Sequence, residues 1–295
     1  MCQSLINPAS FVTADMILDA VVEHIDDEKH MLRTTVICYD GDRSKQIAVG
    51  RAMFNRYTPK LGMIDNIRPA FRMLWDIKSL NFIGKAILNC YQSLSMFLHK
   101  RKFKKIQEKL PKFSIQEERE KNSHTLIGTG DTELFNGMTE EEFIVMAETE
   151  PVFGDKVLGL RVLSLAPGLI TTAMPYKDYF TGNFVTAALH GGVMAGLVDQ
   201  TAGMCARSVV RDKEQRVSTV NFSIDYLAPA KCFEHIICEA RVVSGQSDPD
   251  DSSSSSGGGN SREELIFVDA TCWNECKTKV IGVAKLTFNV YNRKR

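Results

Sequence analysis

The sequence predicts an α+β protein in which an antiparallel sheet wraps round one central helix. Three observations carry the prediction. A stretch of small and apolar residues with helical character runs from His190 to about Val210. Strand-like runs flank it, a pair from Val157 to Ala173 before it and four after it. Ala195, Gly196 and Ala202 lie inside the helix, so a neighbour packs closely against it, as a wrapped sheet would.

Taken in order, residues 11–57 read as strands. Ile17–Val22 opens the run, Met31–Tyr39 is β-branched and apolar, Asp40-Gly41-Asp42 signals a hairpin turn, and Ile47–Phe54 alternates. Residues 58–110 change character, because Pro59 and Gly62 break the strand pattern. From about Pro69, apolar residues such as Phe71, Leu74, Trp75 and Ile77 recur at helical spacing, with Asn81 or Gly84 as a break. That region ends in a basic run, His99-Lys100-Arg101-Lys102-Phe103-Lys104-Lys105, which is either a solvated face or a contact for a membrane surface or an acidic partner. Residues 111–138, polar and holding Pro111, Gly128 and Gly130, read as a linker. Thr139-Glu140-Glu141-Glu142 ahead of Phe143 reads as a helix start. The expected organisation is a partial strand repeat over 11–57, a helical and linker region over 58–150, and a complete domain over 151–295. In the last of these, the strand pair turns at Pro167-Gly168, and the Ser/Gly/Asp-rich tract near 247–262 is expected to be a disordered hairpin loop.

The chain has 295 residues, room for about two domains at roughly 150 residues each. Lys plus Arg and Asp plus Glu number 36 each, so net charge gives no ground for a nucleic-acid partner. Eight cysteines are scattered without a CxxC pair, and His and Cys do not cluster at ligand spacing, so no metal site is expected. With no secretory signal ahead of them, the thiols are expected reduced, in an intracellular protein of the cytoplasm or mitochondrion. The most apolar stretch, Phe82–Leu98, is broken by Lys85, Asn89 and Gln92 and does not read as a membrane span.

Residues 30–57 match residues 264–291 without a gap. Cys38 meets Cys272, Lys45 meets Lys279, and Ile47 and Val49 meet Ile281 and Val283. Phe54, Asn55 and Tyr57 meet Phe288, Asn289 and Tyr291. The match points to a duplication in which residues 11–57 are the last strands of one domain and residues 264–291 those of its copy. The first copy starts too near Met1 to hold a preceding strand pair and helix. On this expectation the chain is either part of a longer tandem protein or carries a decayed first copy.

The chemistry concentrates in Ala187-Ala188-Leu189-His190-Gly191-Gly192-Val193-Met194-Ala195-Gly196-Leu197-Val198-Asp199. Two glycines at a helix start leave backbone N–H groups open to close approach, at the positive end of the helix dipole. A carbonyl oxygen that turns negative in a transition state would be stabilised there. Asp199 follows about two and a half turns later, on the far side of the helix. A carboxylate on an otherwise apolar helix is costly to bury unless it is paired or used.

His190-Gly191-Gly192 with an acid at Asp199 resembles the central-helix motif of the hotdog-fold thioesterases, in particular the PaaI-like and 4-hydroxybenzoyl-CoA thioesterase group. Val217–Ala230, a strand ending at Tyr226 before a turn with Pro229, resembles the same group. The resemblance extends over residues 155–295 apart from the Ser/Gly tract and in part over 11–57, which makes the chain a tandem hotdog with an incomplete first copy. It implies an acyl-CoA thioesterase of lipid and fatty acid metabolism that hydrolyses its substrate without a metal or redox cofactor, CoA being part of the substrate. The motif His190 opens would place the Gly191 N–H on the thioester carbonyl, with Gly192 in support. Asp199 would activate water or attack directly, and the Ser218 hydroxyl would hold that water. Asn183 would position substrate, although it lies one residue further from the His than the usual pattern. Arg207, with Arg211 and Lys213, would contact the CoA phosphates. Such families build each site across a dimer, so a homodimer or higher homo-oligomer is expected. Two other readings remain open. One is a non-catalytic acyl-CoA or lipid binder, resting on the incomplete first copy and the basic helix. The other is a hotdog dehydratase, which needs a catalytic His beside an acid, a pair not visible apart from His190.

Overall fold

The computed structural model describes residues 16–26, 31–39, 46–55, 81–108, 113–122, 138–149, 153–210, 212, 214–245 and 264–292. The Asp40-Gly41-Asp42 turn, the helical pattern from Pro69 to Leu80, Arg211, Lys213 and the Ser/Gly/Asp tract lie outside the described residues. The chain divides into two compact units, residues 1–89 and 90–295.

In the first unit β1 (Ile17–Asp26), β2 (Met31–Tyr39) and β3 (Gln46–Asn55) pair antiparallel in chain order. Alternation along β1 puts Leu18, Ala20 and Val22 on one face and Asp19 and Glu23 on the other. The Glu23 carboxylate accepts the Thr35 hydroxyl from β2.

Helix α1 spans Asn81–Gln107, and no helix among the described residues is long and apolar enough to cross a membrane. In the second unit α2 (Ile115–Asn122), α3 (Glu140–Thr149) and a π-type turn (Phe153–Leu158) come before the sheet. The remaining elements are β4 (Arg161–Ala166), β5 (Leu169–Met174), β6 (Thr181–Asn183), β7 (Ala188–Leu189), α4 (Gly191–Arg207), β8 (Gln215–Tyr226), β9 (Ile236–Gly245), β10 (Glu264–Asn274) and β11 (Val280–Asn292). Six strands form one antiparallel sheet in the order β4-β5-β9-β10-β11-β8, with β6 and β7 as a separate pair. Helix α4 packs against five of the six, β5, β8, β9, β10 and β11. This is the wrapped central helix that the sequence predicts.

The packing follows from the residues. Leu197, Val198, Ala202, Cys205 and Ala206 of α4 are fully buried, as are Ile170, Cys238, Ala240, Cys272 and Phe288 of the sheet. The hydroxyls buried between helix and sheet are satisfied locally: Thr201 Oγ1 donates to Leu197 O at 2.8 Å and meets Thr172 Oγ1 at 2.8 Å. Gly168 ends the β4–β5 turn at φ +72, a conformation that favours glycine, and its N–H donates to Ser208 Oγ beyond the helix C-terminus. The turn and the helix end are thereby tied together.

Helix α3 is started by the Thr139–Glu142 box that the sequence displays: Thr139 N–H donates to Glu142 Oε2 at 2.9 Å, and Glu142 N–H to Thr139 Oγ1 at 3.2 Å. The helix then buries Phe143 and Ala147 completely. Glu148 at its far end accepts the Val162 N–H at 2.7 Å, and Arg119 of α2 pairs with Glu148 and donates to Val162 O. These contacts cover the open edge of β4.

Two local expectations are corrected. Residues 115–122, read as linker, are helical: Ser114 Oγ accepts the Glu117 N–H, and Phe113 and Ile115 pack on Leu163, Ala173 and Ile237. A helix polar along most of its length is held here by those end contacts and by Arg119, which no periodicity reveals. Val157, read as the start of a strand, lies in the π-type turn. Gly159 at φ +72 and Lys177, whose Nζ donates to the Val157 carbonyl at 2.7 Å, delay the strand to Arg161. Thr139→Ala removes half of the cap and should cost about 1 kcal/mol, read as a lower urea midpoint at unchanged m.

Candidate active site

The start of α4 is held by the chain that leads into it. β6 and β7 pair Thr181 with Leu189 and Asn183 with Ala188. Between them Asn183 Oδ1 accepts the N–H groups of Val185 and Thr186, closing a turn that ends in Ala187 at φ +48. His190 N–H then donates to Phe180 O at 2.9 Å. Gly182 faces this junction so closely that a Cβ on it would lie 2.6 Å from His190 Cα. The loop is braced from outside by one face of α1, where Ser95 Oγ donates to Phe184 O, a His99 ring nitrogen meets Val185 O at 3.0 Å, and Tyr91 stacks edge-on to Phe184. An adjoining stripe of α1 exposes Leu94, Phe97 and Leu98, followed by Arg101, Lys104 and Lys105.

His190 is extended (φ −70, ψ 133) and caps the helix, its Nδ1 accepting the Gly192 N–H at 3.0 Å. This bond requires a neutral ring with its proton on Nε2. Gly192 therefore supports the first turn through its bond to His190, while among the described residues no acceptor reaches the Gly191 N–H. The Gly191 carbonyl accepts the Tyr226 hydroxyl at 2.8 Å, and a Cβ on Gly191 would touch the Tyr226 ring at 3.3 Å. Tyr226 comes from the end of β8 and was visible in the sequence only as the aromatic before the Pro229 turn.

Asp199 lies further along the same helix. At about 1.5 Å per residue it stands roughly 12 Å along the axis from Gly191. Its carboxylate opens into a cleft of about 250 Å³. The cleft is lined by the apolar Met146 of α3, Met204 and Val217 and by the polar Gln200, Ser218 and Arg207. The hydroxyl that reaches Asp199 is that of Thr219, whose Oγ1 donates to Oδ1 at 2.8 Å. Burial raises the Asp199 pKa above the ordinary carboxylate range, and the Thr219 bond opposes that rise in part.

The position of Thr219 has a specific cause. Phe222 and Ile224 pack on the core, and strict alternation from them brings Ser218 inward. The ladder skips one residue here: Asn221 pairs with Thr287 and Thr219 with Phe288, which makes Val220 the extra residue of a β-bulge. The bulge reverses the alternation upstream, so Val217 and Thr219 face the helix. Ser218 still lines the cleft. Asn183 is not among the cleft residues and commits its Oδ1 to the turn before His190. The structure thus sets the predicted residues in two places: His190, Gly191, Gly192 and Asn183 at the helix start, and Asp199, Ser218 and Arg207 at the cleft. Thr219 and Tyr226 join them. Among the described residues no group of His, Cys, Asp and Glu could hold a metal ion.

Residues 187–247 match the family model of the thioesterase superfamily. The chain is 32% identical over 101 residues to acyl-coenzyme A thioesterase 13 of Homo sapiens, an alignment spanning 34% of this chain and 69% of that protein. The orangutan protein of the same name, from Pongo abelii, matches to the same extent. Among solved structures, a thioesterase family protein from Silicibacter pomeroyi aligns at 23% identity and a TM-score of 0.40, covering 52% of this chain and 98% of that one. Thioesterase superfamily member 2 from Mus musculus aligns at 22% identity and a TM-score of 0.39, covering 50% of this chain and 95% of that one.

The environment of Asp199 has a measurable signature. The folded chain holds this proton more tightly than the unfolded chain does. Stability tied to the group is therefore present below the ordinary carboxyl value and is lost as pH rises through the folded value. In a carbon-13 NMR titration the Asp199 carboxyl should titrate above the ordinary Asp value, and Thr219→Val should move it further up. A midpoint at or below the ordinary value would contradict this description of the cleft.

Proposed function

This chain belongs to the thioesterase superfamily and has its hotdog fold, and from that premise we propose that it hydrolyses an acyl-CoA to free acid and CoA. The observation that carries the proposal is the pair of complementary groups that α4 supplies: an N–H without an acceptor at its start and a partly buried carboxylate, held by Thr219, two turns further on. The thioester carbonyl oxygen sits on the Gly191 N–H at the positive end of α4. Asp199 takes a proton from water through Oδ2, since Oδ1 is engaged by Thr219. The water oxygen bonds to the carbonyl carbon and the developing oxyanion is held at Gly191. Collapse breaks the C–S bond, and the CoA thiolate leaves with the proton from Asp199. Direct attack by the carboxylate, with hydrolysis of the resulting anhydride, uses the same two groups. A positioned base contributes roughly 10²–10⁴ in rate, and one oxyanion donor about 3–4 kcal/mol. Water, a carboxylate and a backbone N–H suffice for this reaction, so it calls for no cofactor. Ser218 helps order the water, Arg207 meets the CoA phosphates, and Asn183 has only its amide nitrogen left to offer substrate.

The roughly 12 Å between Gly191 and Asp199 along the axis is too far for both to act on one carbonyl, which needs contacts near 3 Å. Each site therefore takes Gly191 from one chain and Asp199 from another, which makes the active form a homo-oligomer. The apolar and basic stripe of α1, with Leu94, Phe97 and Leu98 beside Arg101, Lys104 and Lys105 and no acidic residue in the helix, suits an anionic membrane surface from which an amphiphilic acyl-CoA is taken up.

A panel of short, medium, long and aromatic acyl-CoAs, with CoA release followed by mass spectrometry, tests the activity. Asp199→Ala should lose at least 10²-fold in turnover; turnover that persists in this variant, or binding without turnover by the parent, would favour a non-catalytic binder or another base. Gly191→Pro deletes the proposed donor at a helix position that accepts proline. Co-expression of the two inactive variants should restore about a quarter of parental activity, because half of the dimers are mixed and each of these holds one intact site. No recovery would mean that the groups do not act across chains. Co-sedimentation with phosphatidylserine vesicles should be lost at high salt and in Leu94→Ser/Phe97→Ser, whereas binding indifferent to both would remove α1 as the contact.

A further inference from the structure

Residues 184–187 connect β6 to β7 and lead into His190 and Gly191. This turn cannot hold itself. Its ladder has only two residue pairs, Thr181 with Leu189 and Asn183 with Ala188, and an isolated two-stranded hairpin is at best marginally stable in water. Ala187 sits at φ +48, in the left-handed region that a residue with a Cβ enters at a cost. Such a conformation persists only where the surroundings over-determine it.

The backbone groups of the turn identify those surroundings. Asn183 Oδ1 accepts the N–H groups of Val185 and Thr186, and the Ala187 carbonyl accepts the Cys232 N–H at 2.8 Å. The carbonyls of Phe184 and Val185 are met from α1. Ser95 Oγ donates to the first at 3.0 Å, and His99 Nε2 lies 3.0 Å from the second. A carbonyl only accepts, so Nε2 carries the ring proton. Tyr91, Ser95, His99 and Phe103 follow one another at intervals of four and share one stripe of α1. At its ends Tyr91 meets the Phe184 ring at 6.0 Å and Phe103 the Phe233 ring at 5.9 Å. Phe233 closes the segment that pairs with β7, where the Ala230 carbonyl accepts the Leu189 N–H and Lys231 bridges to Ala188. One stripe thus grips both segments beside β7. Met96 packs on the core of the domain, which anchors the helix that carries the stripe. These contacts come from outside residues 187–247, the segment that matches the family model.

We infer that this stripe of α1 is a strap that sets the entry to α4, and that Ser95 and His99 are positioning residues for the Gly191 N–H. The strap rests on the contacts alone; its chemical consequence rests on the hydrolysis proposed above. The path from strap to donor is short and stiff. His190 N–H is bonded to Phe180 O, and a Cβ on Gly182 would lie 2.6 Å from His190 Cα, so a shift of the turn passes to His190 and is not absorbed. Misplacement of a catalytic group by about 1 Å costs on the order of 10²-fold in rate. An oxyanion donor acts in the transition state, so its displacement lowers kcat and leaves KM in place.

The test uses variants of the full chain. Ser95→Ala/His99→Leu removes both donors, and His99→Gln keeps an N–H where Nε2 stands. Ser93→Ala, at an exposed position of the same helix, is the control. Native-state hydrogen exchange at the Leu189 and His190 amides should quicken at least about 10-fold in the double variant, while the Ala202–Ala206 amides of α4 keep parental rates. On an acyl-CoA that the parent hydrolyses, kcat should fall at least about 10-fold with KM unchanged. His99→Leu alone should show part of this loss, and His99→Gln and Ser93→Ala should match the parent. Exchange at Leu189 and His190 that stays parental, or that rises only together with the α4 core, overturns the inference. An unchanged kcat, or a loss confined to KM, overturns it as well. If the parent hydrolyses no acyl-CoA, the proposed activity fails, and exchange at Leu189 and His190 still decides whether α1 straps the turn.

Discussion

Helix α4 lies close enough to its sheet for Cys205 Sγ to reach the Ala240 carbonyl at 3.3 Å and for the Thr201 and Thr172 hydroxyls to meet at 2.8 Å. Only small residues allow such an approach, and they occur on both sides: Ala202 and Ala206 on the helix, Ala240, Ala270 and Ala284 on the strands. A helix clamped this way along its length cannot slide or rotate without opening voids. Everything of chemical interest inherits that rigidity. The first turn is fixed where the β6–β7 pair delivers His190, and Asp199 is fixed where the β8 bulge presents Thr219. The sheet therefore positions groups that it does not itself supply.

The same clamping carries a cost. A carboxylate held beside Met146, Met204 and Val217 is disfavoured in its charged form, and one hydroxyl bond offsets only part of the penalty. Ala187 at φ +48 adds backbone strain immediately before the helix. Both features sit at the two ends of the proposed chemistry, whereas the core between them is apolar and well satisfied. Local disadvantage concentrated at such places, in a fold otherwise consistent with its sequence, accords with the chemistry proposed for them.

The wrapped helix, the strand pair with its Gly168 turn, the α3 cap and the two glycines at the helix start could all be read from the sequence, because each depends on neighbours within a few positions. What escaped reading depends on distant partners. The resemblance points to Ser218, and only the pairing with Thr287 and Phe288 reveals the bulge that turns Thr219 toward Asp199. Asn183 reads as a polar group free for substrate, yet its oxygen closes a turn that only the folded backbone shows. Helix α2 is short and polar, and its stability comes from Phe113, Ile115 and Arg119 meeting residues far along the chain. Tyr226 lies 35 residues from Gly191 and touches it only because β8 returns beside the helix start.

The chemical groups and the scaffold fall on different parts of the fold. Gly191 and Asp199 ride on α4, and Thr219 and Tyr226 come from β8. Strands β9–β11 contribute apolar surface to the site, such as Phe288 at the cleft, and none of its acids, hydroxyls or free N–H groups. The matching hairpin of residues 30–57 brings no counterpart of the glycine pair or the acid, so on the proposed mechanism the Gly191 that faces a given Asp199 comes from another copy of α4.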